Sequence, residues 1–195
     1  MLNVQSMLRP LLVTLLLMGP VGVPAIAAQE VDVPVSIHIP ILLKVLAFDR
    51  QLRLHVPKEI VVGVAFQSGN RNSARIKDEA VLALQGARID LEGATLRVIA
   101  IDLDGDVWPA ILAVGSVTHL YLTPLRAVSV AALVAKTREV HVLTLSGVPQ
   151  YVNDGVALGV AVRGGRPRVL VNLEAARLEG ADLSAELLKL AEIVR

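Results

Sequence analysis

The chain contains no cysteine, and only 3% of its 195 residues are aromatic. The first absence excludes a disulfide framework, thiolate metal ligands and a thiol nucleophile. The second argues against a sugar- or strand-binding surface built on stacked rings. Charge of one sign is also lacking: 19 Lys and Arg stand against 18 Asp and Glu, a net charge of +1. A nucleic-acid partner usually calls for a basic patch or a high isoelectric point, so none is expected. Catalytic signatures are missing as well. His38, His55, His119 and His141 show no H-x-x-x-H or H-E-x-x-H spacing. No G-x-S-x-G elbow, phosphate loop or dinucleotide fingerprint occurs. The expectation is a protein without catalytic residues, cofactor or metal site. No uninterrupted apolar run approaches the ~20 residues that span a bilayer.

What is present begins with a leader. Arg9 precedes the apolar run Leu11–Met18, Gly19 and Pro20 break it, and Ala25-Ile26-Ala27-Ala28 closes the segment before Gln29. A charged start, a short apolar middle and an A-x-A end describe a cleavable secretory signal over residues 1–28, followed by one domain over 29–195. Without cysteine, no lipid anchor can follow cleavage. The mature protein is therefore expected in the periplasm, with no stable membrane insertion. The leader carries one of the 19 cations and no acid, so 18 charges of each sign remain. Stability must come from an aliphatic core, since 54% of the chain is hydrophobic.

Strand and helix signals alternate. Ile41–Phe48 reads as a short helix with Pro40 in its first turn. Glu59–Phe66, Thr95–Ile101, His119–Leu122 and Val140–Leu145 read as strands. Ser73 is placed to cap a helix running to Gln85, with Ile76, Ala80, Ala83 and Leu84 inward. Val107–Val114 and Ala127–Thr137 read as further helices. The strands are continuous apolar runs, which marks parallel strands covered on both faces. The fold class is α/β: a single domain with a mostly parallel central sheet flanked by helices. Toward the C-terminus, Val156–Arg163 and Arg166–Asn172 alternate around Gly164-Gly165, an antiparallel β-hairpin. Asn172 caps a short helix ended by Gly180. A terminal helix starts at Ser184, with Leu183, Leu187, Leu190 and Val194 at helical spacing.

Two features are candidates for binding. The two-residue turn sets Arg163 opposite Arg166 and places Arg168 diagonally beside them. Like charges across a pair destabilise it slightly, so this face borrows a carboxylate, grips an anion or an acidic partner, or is simply a solvated hairpin tip where exposed pairs carry little energy. Arg163, Arg166 and Arg168, beside a shallow groove over Ala157, Gly159 and Ala161, form the candidate partner-binding surface. The second feature is Asp102-Leu-Asp104-Gly-Asp106, at the carboxyl end of a strand, where open α/β sheets place their sites. It resembles the start of an EF-hand loop, but glycine falls at the fourth position instead of the sixth and Ala113 at the twelfth. A solvated turn is the reading, and whether Asp102, Asp104 and Asp106 hold a cation stays open. Trp108, the one Trp, reads as a core plug.

The stretch Val142-Leu-Thr-Leu-Ser-Gly147, then Asp154-Gly155, Arg166-Pro-Arg-Val-Leu-Val-Asn-Leu173, Ala175-Ala-Arg-Leu-Glu-Gly180 and Ser184-Ala-Glu-Leu-Leu-Lys-Leu-Ala191 resembles the YfiR family of exported bacterial proteins. The likeness runs over roughly residues 58–193 by layout and is specific over 140–193. It implies a compact periplasmic α/β domain that is not an enzyme. It also implies that the domain binds the periplasmic part of an inner-membrane diguanylate cyclase and holds it inactive until envelope stress relieves the block. Two departures are visible. The disulfides of known members have no counterpart here, and Asp49-Arg-Gln-Leu-Arg-Leu replaces the family's aromatic-Trp-Pro stretch. The function expected is thus regulation, by repression, of an inner-membrane signalling protein such as a diguanylate cyclase or a sensor kinase through its periplasmic domain, with cyclic-di-GMP signalling as the output of a cyclase partner. A periplasmic receptor for a small anionic ligand, feeding an uptake or sensor system, is the alternative. A homodimer is left open.

Overall fold

The alternating strands and helices build one seven-stranded sheet in the computed structural model, which describes residues 30–194 except 56, 90, 92, 106, 107 and 114. The expected leader over 1–28 lies outside the described residues. In chain order the elements are α1 (Val35–Leu46), α2 (Arg50–Leu54), β1 (Glu59–Phe66), α3 (Arg71–Gln85), β2 (Thr95–Asp102), α4 (Trp108–Ala113), β3 (His119–Leu122) and α5 (Val130–Glu139). They continue with β4 (Leu143–Ser146), α6 (Gln150–Asn153), β5 (Leu158–Arg163), β6 (Arg166–Asn172), α7 (Leu173–Leu178), α8 (Ala185–Leu190) and β7 (Glu192–Val194).

The strand order is β2-β1-β3-β4-β5-β6-β7. Strands β1 to β5 are parallel, β6 turns back antiparallel on β5, and β7 lies parallel to β6. The order reverses at β1. Right-handed crossovers leaving in opposite directions must place their helices on opposite faces. Accordingly α1, α3, α7 and α8 pack on one face, against Val62, Val64, Tyr121, Leu145, Leu158 and Val171. Helices α4, α5 and α6 pack on the other, against Ala65, Leu120, Leu122 and Val156. The period of two along β3 sends Tyr121 to the first face and its neighbours Leu120 and Leu122 to the second. Being covered on both sides, β3 and β4 are buried at every position.

The hairpin keeps the expected register: Arg163 pairs with Arg166, Ala161 with Arg168 and Val160 with Val169. Gly164 and Gly165 adopt φ of 57° and 74°, the left-handed pair that a two-residue hairpin turn requires.

Several elements depart from the sequence reading. Helix α1 starts at Val35, so Pro40 sits inside it and not in its first turn. Burial of Val35, His38, Ile39 and Leu42 along one stripe outweighs the backbone bond that proline cannot make. Helix α3 is capped by Asn70, whose side chain accepts from the amides of Asn72 and Ser73. Strand β4 begins at Leu143, because His141 takes φ of 54° in the turn before it. The terminal helix stops at Leu190. Ala191 is extended, and Glu192–Val194 pair with β6, so Val194 lies in a strand and Leu190 is 67% exposed. Helices α2 and α6 were not anticipated. Trp108 opens α4 and packs, half-buried, on the second face.

Candidate functional site

The hairpin projects from the carboxyl edge of the parallel strands. At its tip Arg163 forks onto Glu192 of β7, with Nε donating to Oε2 at 3.0 Å and Nη2 to Oε1 at 3.2 Å. That hydrogen bond and the carboxylate charge hold the guanidinium above its already high ordinary pKa, with a smaller contribution from Asp32. Arg168 donates from Nη1 to the Leu190 carbonyl at 3.0 Å. Arg166 is exposed at the turn. The groove expected beside them is filled. A Cβ on Gly159 would lie 2.5 Å from Val152 Cγ2, so α6 seats its valine there. The three arginines therefore form an open face without a trough beneath it.

Sequence reasoning missed a second feature on the same edge. Where the strand order reverses, the loops after β1 and β3 leave toward opposite faces and open a crevice between them. A cleft of about 930 Å³ lies there. Its walls are the strap before α1 (Glu30, Val31, Asp32), the start of α3 (Asn70, Arg75, Ile76) and the loop after β3 (Pro124, Leu125, Arg126). Buried Gln67, just past β1, ties the loops together. Its Oε1 accepts from the Arg126 amide at 2.7 Å and the Ala127 amide at 3.3 Å, while Nε2 donates to Asp104 Oδ1 at 2.9 Å. Below it runs a hydroxyl relay. The Gln67 amide donates to Ser73 Oγ at 2.9 Å, and Ser73 Oγ meets Thr123 Oγ1 at 2.6 Å. Thr123 in turn donates to the Ala65 carbonyl at 2.9 Å, which leaves Ser73 as the donor between the two hydroxyls. The cap reading at Ser73 and the aspartate cluster after β2 were the signals of this region in the sequence.

The strap is fixed from beneath. The His38 ring is fully buried, and its Nδ1 lies 2.8 Å from the Val33 carbonyl, an acceptor only. Nδ1 thus carries the proton, and Nε2 accepts from the Tyr121 hydroxyl at 2.8 Å. Burial lowers the His38 pKa despite the backbone contacts of Val33 and Pro34, and burial raises that of Tyr121 against the opposing Gly147 amide. Gly147 allows the close approach: a Cβ there would sit 2.6 Å from His38 Cε1.

The aspartates at the end of β2 are spent on backbone. Asp102 Oδ1 accepts from the amides of Ser68 at 3.2 Å and Asp104 at 3.1 Å. Asp104 Oδ2 accepts from the Gly69 amide at 2.7 Å and the Ser68 hydroxyl at 3.3 Å. Partial burial raises the Asp102 pKa, but the bonds from Ser68 and Asp104 outweigh it and leave the carboxyl low. The Gly69 amide, then Gln67, lower that of Asp104. Asp106 lies outside the described residues. Among the described residues no group of three His, Asp or Glu is placed to hold a metal ion.

Other titratable groups are buried away from the cleft, and two of them, one at a strand start and one at a helix end, titrate near the physiological range or below it. His119, at the start of β3, is lowered by burial to about 4. Glu179, just past α7, accepts from the Thr144 amide at 2.8 Å, the Thr144 hydroxyl at 2.8 Å and the Thr137 hydroxyl at 3.2 Å. Burial raises it to about 7 in spite of those donors.

The model of the YfiR/HmsC-like family (DUF4154) matches residues 79–192, more than half of the chain. The chain belongs to this family. The matched span runs from the middle of α3 to β7, so the YfiR/HmsC-like region holds both the arginine hairpin and Arg126 of the cleft. Membership supports a periplasmic regulatory protein of a generally non-enzymatic kind. No helix among the described residues is long and apolar enough to cross a membrane. No curated protein matches the chain.

Among solved structures, this YfiR/HmsC-like chain is similar to a conserved domain protein from Vibrio cholerae O1 biovar El Tor. The TM-score is 0.57 at 13% identity, over 84% of this chain and 61% of that one. It is also similar to an ABC domain in complex with L-Trp from Streptococcus pneumoniae, with a TM-score of 0.53 at 12% identity over 69% of this chain and 56% of that one. A third likeness is to the ligand-free, open form of a substrate binding protein with adhesive properties from Clostridium difficile. Its TM-score is 0.51 at 15% identity, over 78% of this chain and 60% of that one. The chain thus spans about three-fifths of the length of these structures. Identities of 12–15% carry the α/β fold alone.

Proposed function

We propose that this chain is an exported, non-enzymatic regulator. After removal of residues 1–28 it binds the periplasmic domain of an inner-membrane signalling protein, a diguanylate cyclase or a sensor kinase, and holds it inactive. Family membership supports the class of protein. The observation that carries the contact surface is the hairpin tip, where Arg163, Arg166 and Arg168 share a face and the carboxylate of Glu192 is bonded to Arg163. Each guanidinium has five N–H donors, and the contacts just described use only some of them. The remainder suit carboxylates on an acidic partner surface, which arginine binds in a bidentate fork.

The test is a pull-down from solubilised inner membranes with wild-type protein and with the Arg163→Glu, Arg166→Glu, Arg168→Glu triple variant. The triple variant is expected to lose the signalling partner while its thermal melt stays near wild type, because exposed ion pairs contribute only ~0–1 kcal/mol. Intact capture by the triple variant overturns the proposal.

A further inference from the structure

We infer that the crevice between the ends of β1 and β3 is a binding site for short peptides with free termini. Four observations on the molecule meet there. The first is position. In open α/β sheets the crevice at the reversal of strand order, outside the carboxyl ends of the strands, is where ligands bind, and this cleft occupies it. The second is size. About 930 Å³ lies near the top of the ~300–1,000 Å³ range of small-molecule sites, which suits about three residues of extended peptide better than a single amino acid.

The third is chemistry. Val31, Ile76, Pro124 and Leu125 supply apolar contact, and charges of both signs enter from different segments. Arg75 is already bound to Glu79 at 2.5 Å and to Asn72 Oδ1 at 2.9 Å. By contrast, among the described residues no hydrogen bond or ion pair engages the side chains of Arg126, Glu30 or Asp32, and Asp32 feels only the more distant charge of Arg163. A cation from the loop after β3 and two anions from the strap, Glu30 and the more weakly engaged Asp32, can therefore meet a terminal carboxylate and a terminal ammonium. A ligand with only one charge would leave one set unmatched. The fourth is preorganisation. Gln67 ties down the backbone of Arg126, and His38 anchors the strap at Val33, next to its lining residues, so both walls are tethered before a ligand arrives. Asp32 lies within electrostatic reach of Arg163, so the cleft adjoins the hairpin face, but none of the three hairpin arginines lines it and the inference does not depend on the partner proposed for them.

The experiment is equilibrium dialysis of the mature chain against a free-ended tripeptide library and against the same library N-acetylated and C-amidated. Retention of free-ended peptides and loss of the capped ones is the expected result. Arg126→Ala and Asp32→Asn should each weaken retention by at least about tenfold, the effect of losing one charge-assisted hydrogen bond. Both side chains are exposed, so the melts should stay at wild-type values. Failure to retain any tripeptide, equal retention of capped and free libraries, or retention unchanged in Arg126→Ala would each overturn the inference.

Discussion

Glu179 and His119 respond to pH in opposite senses, and both do so because they are buried. Glu179 titrates at about 7 against an ordinary 4.5, so folding favours its protonated form. Its contribution to stability is fully present below pH 4.5 and is lost as pH rises through 7. His119 titrates at about 4 against an ordinary 6.5, so folding favours its neutral form. Its contribution is present above pH 6.5 and is lost as pH falls toward 4. Shifts of this size correspond to roughly 3 kcal/mol each, so between pH 7 and 5 the two trends offset one another. Replacing the carboxyl by an amide removes one of them. Glu179→Gln should lose stability steadily on acidification from pH 7 to 5, while the wild type changes far less. Urea unfolding at pH 5, 6 and 7 reads the difference directly. Parallel stability curves for the two proteins would contradict this account of Glu179. Glu179 did not stand out in the sequence and His119 only as one of four scattered histidines, since burial of a polar side chain depends on what packs over it.

At the scale of elements, legibility followed how local the deciding force is. The hairpin was readable to the residue, because a Gly-Gly turn fixes the register without help from the rest of the fold. Strands β1 and β3 were readable because two-sided burial demands a continuous apolar run. The start of α3 was not. Asn70 and Ser73 both suit a helix cap, and only the tertiary bond from Ser73 to Thr123 assigns that role to Asn70. The two residues should therefore respond differently to truncation. Asn70→Ala removes a cap and should cost about 1 kcal/mol. Ser73→Ala strips an acceptor from the buried Gln67 amide and should cost about 1–3 kcal/mol. Because the same relay holds the loop after β3, Ser73→Ala should also speed hydrogen exchange at the Arg126 and Ala127 amides, which Asn70→Ala should leave protected. Equal exchange in both variants would separate the relay from the cleft. The terminal helix was misread for a related reason. Leu183, Leu187, Leu190 and Val194 fit a helical period, yet the vacant edge of β6 decides the last residues.

For the whole molecule, the order of strands determines where function can sit, and that order comes from pairings between distant segments. The alternation of elements established an α/β sheet, but no local pattern tells that β3 lies beside β1 and not beside β2. The crevice, its strap and Arg126 were therefore invisible in the sequence, whereas the arginines of a local hairpin were visible. The outer edge of the sheet follows the same logic. Strand β7 is three residues long, yet it covers Leu170, Val171 and Asn172 and brings Glu192 to Arg163. Removing residues 191–195 would leave β6 with unpaired amides and carbonyls and the hairpin tip without its carboxylate. An uncovered edge strand is a template for pairing with another chain. The truncated protein should keep its parallel core, and with it the circular dichroism of the wild type. It should melt at lower temperature and sediment as a concentration-dependent dimer or larger species. A truncated chain that melts and sediments like the wild type would show that β7 is not what closes this edge.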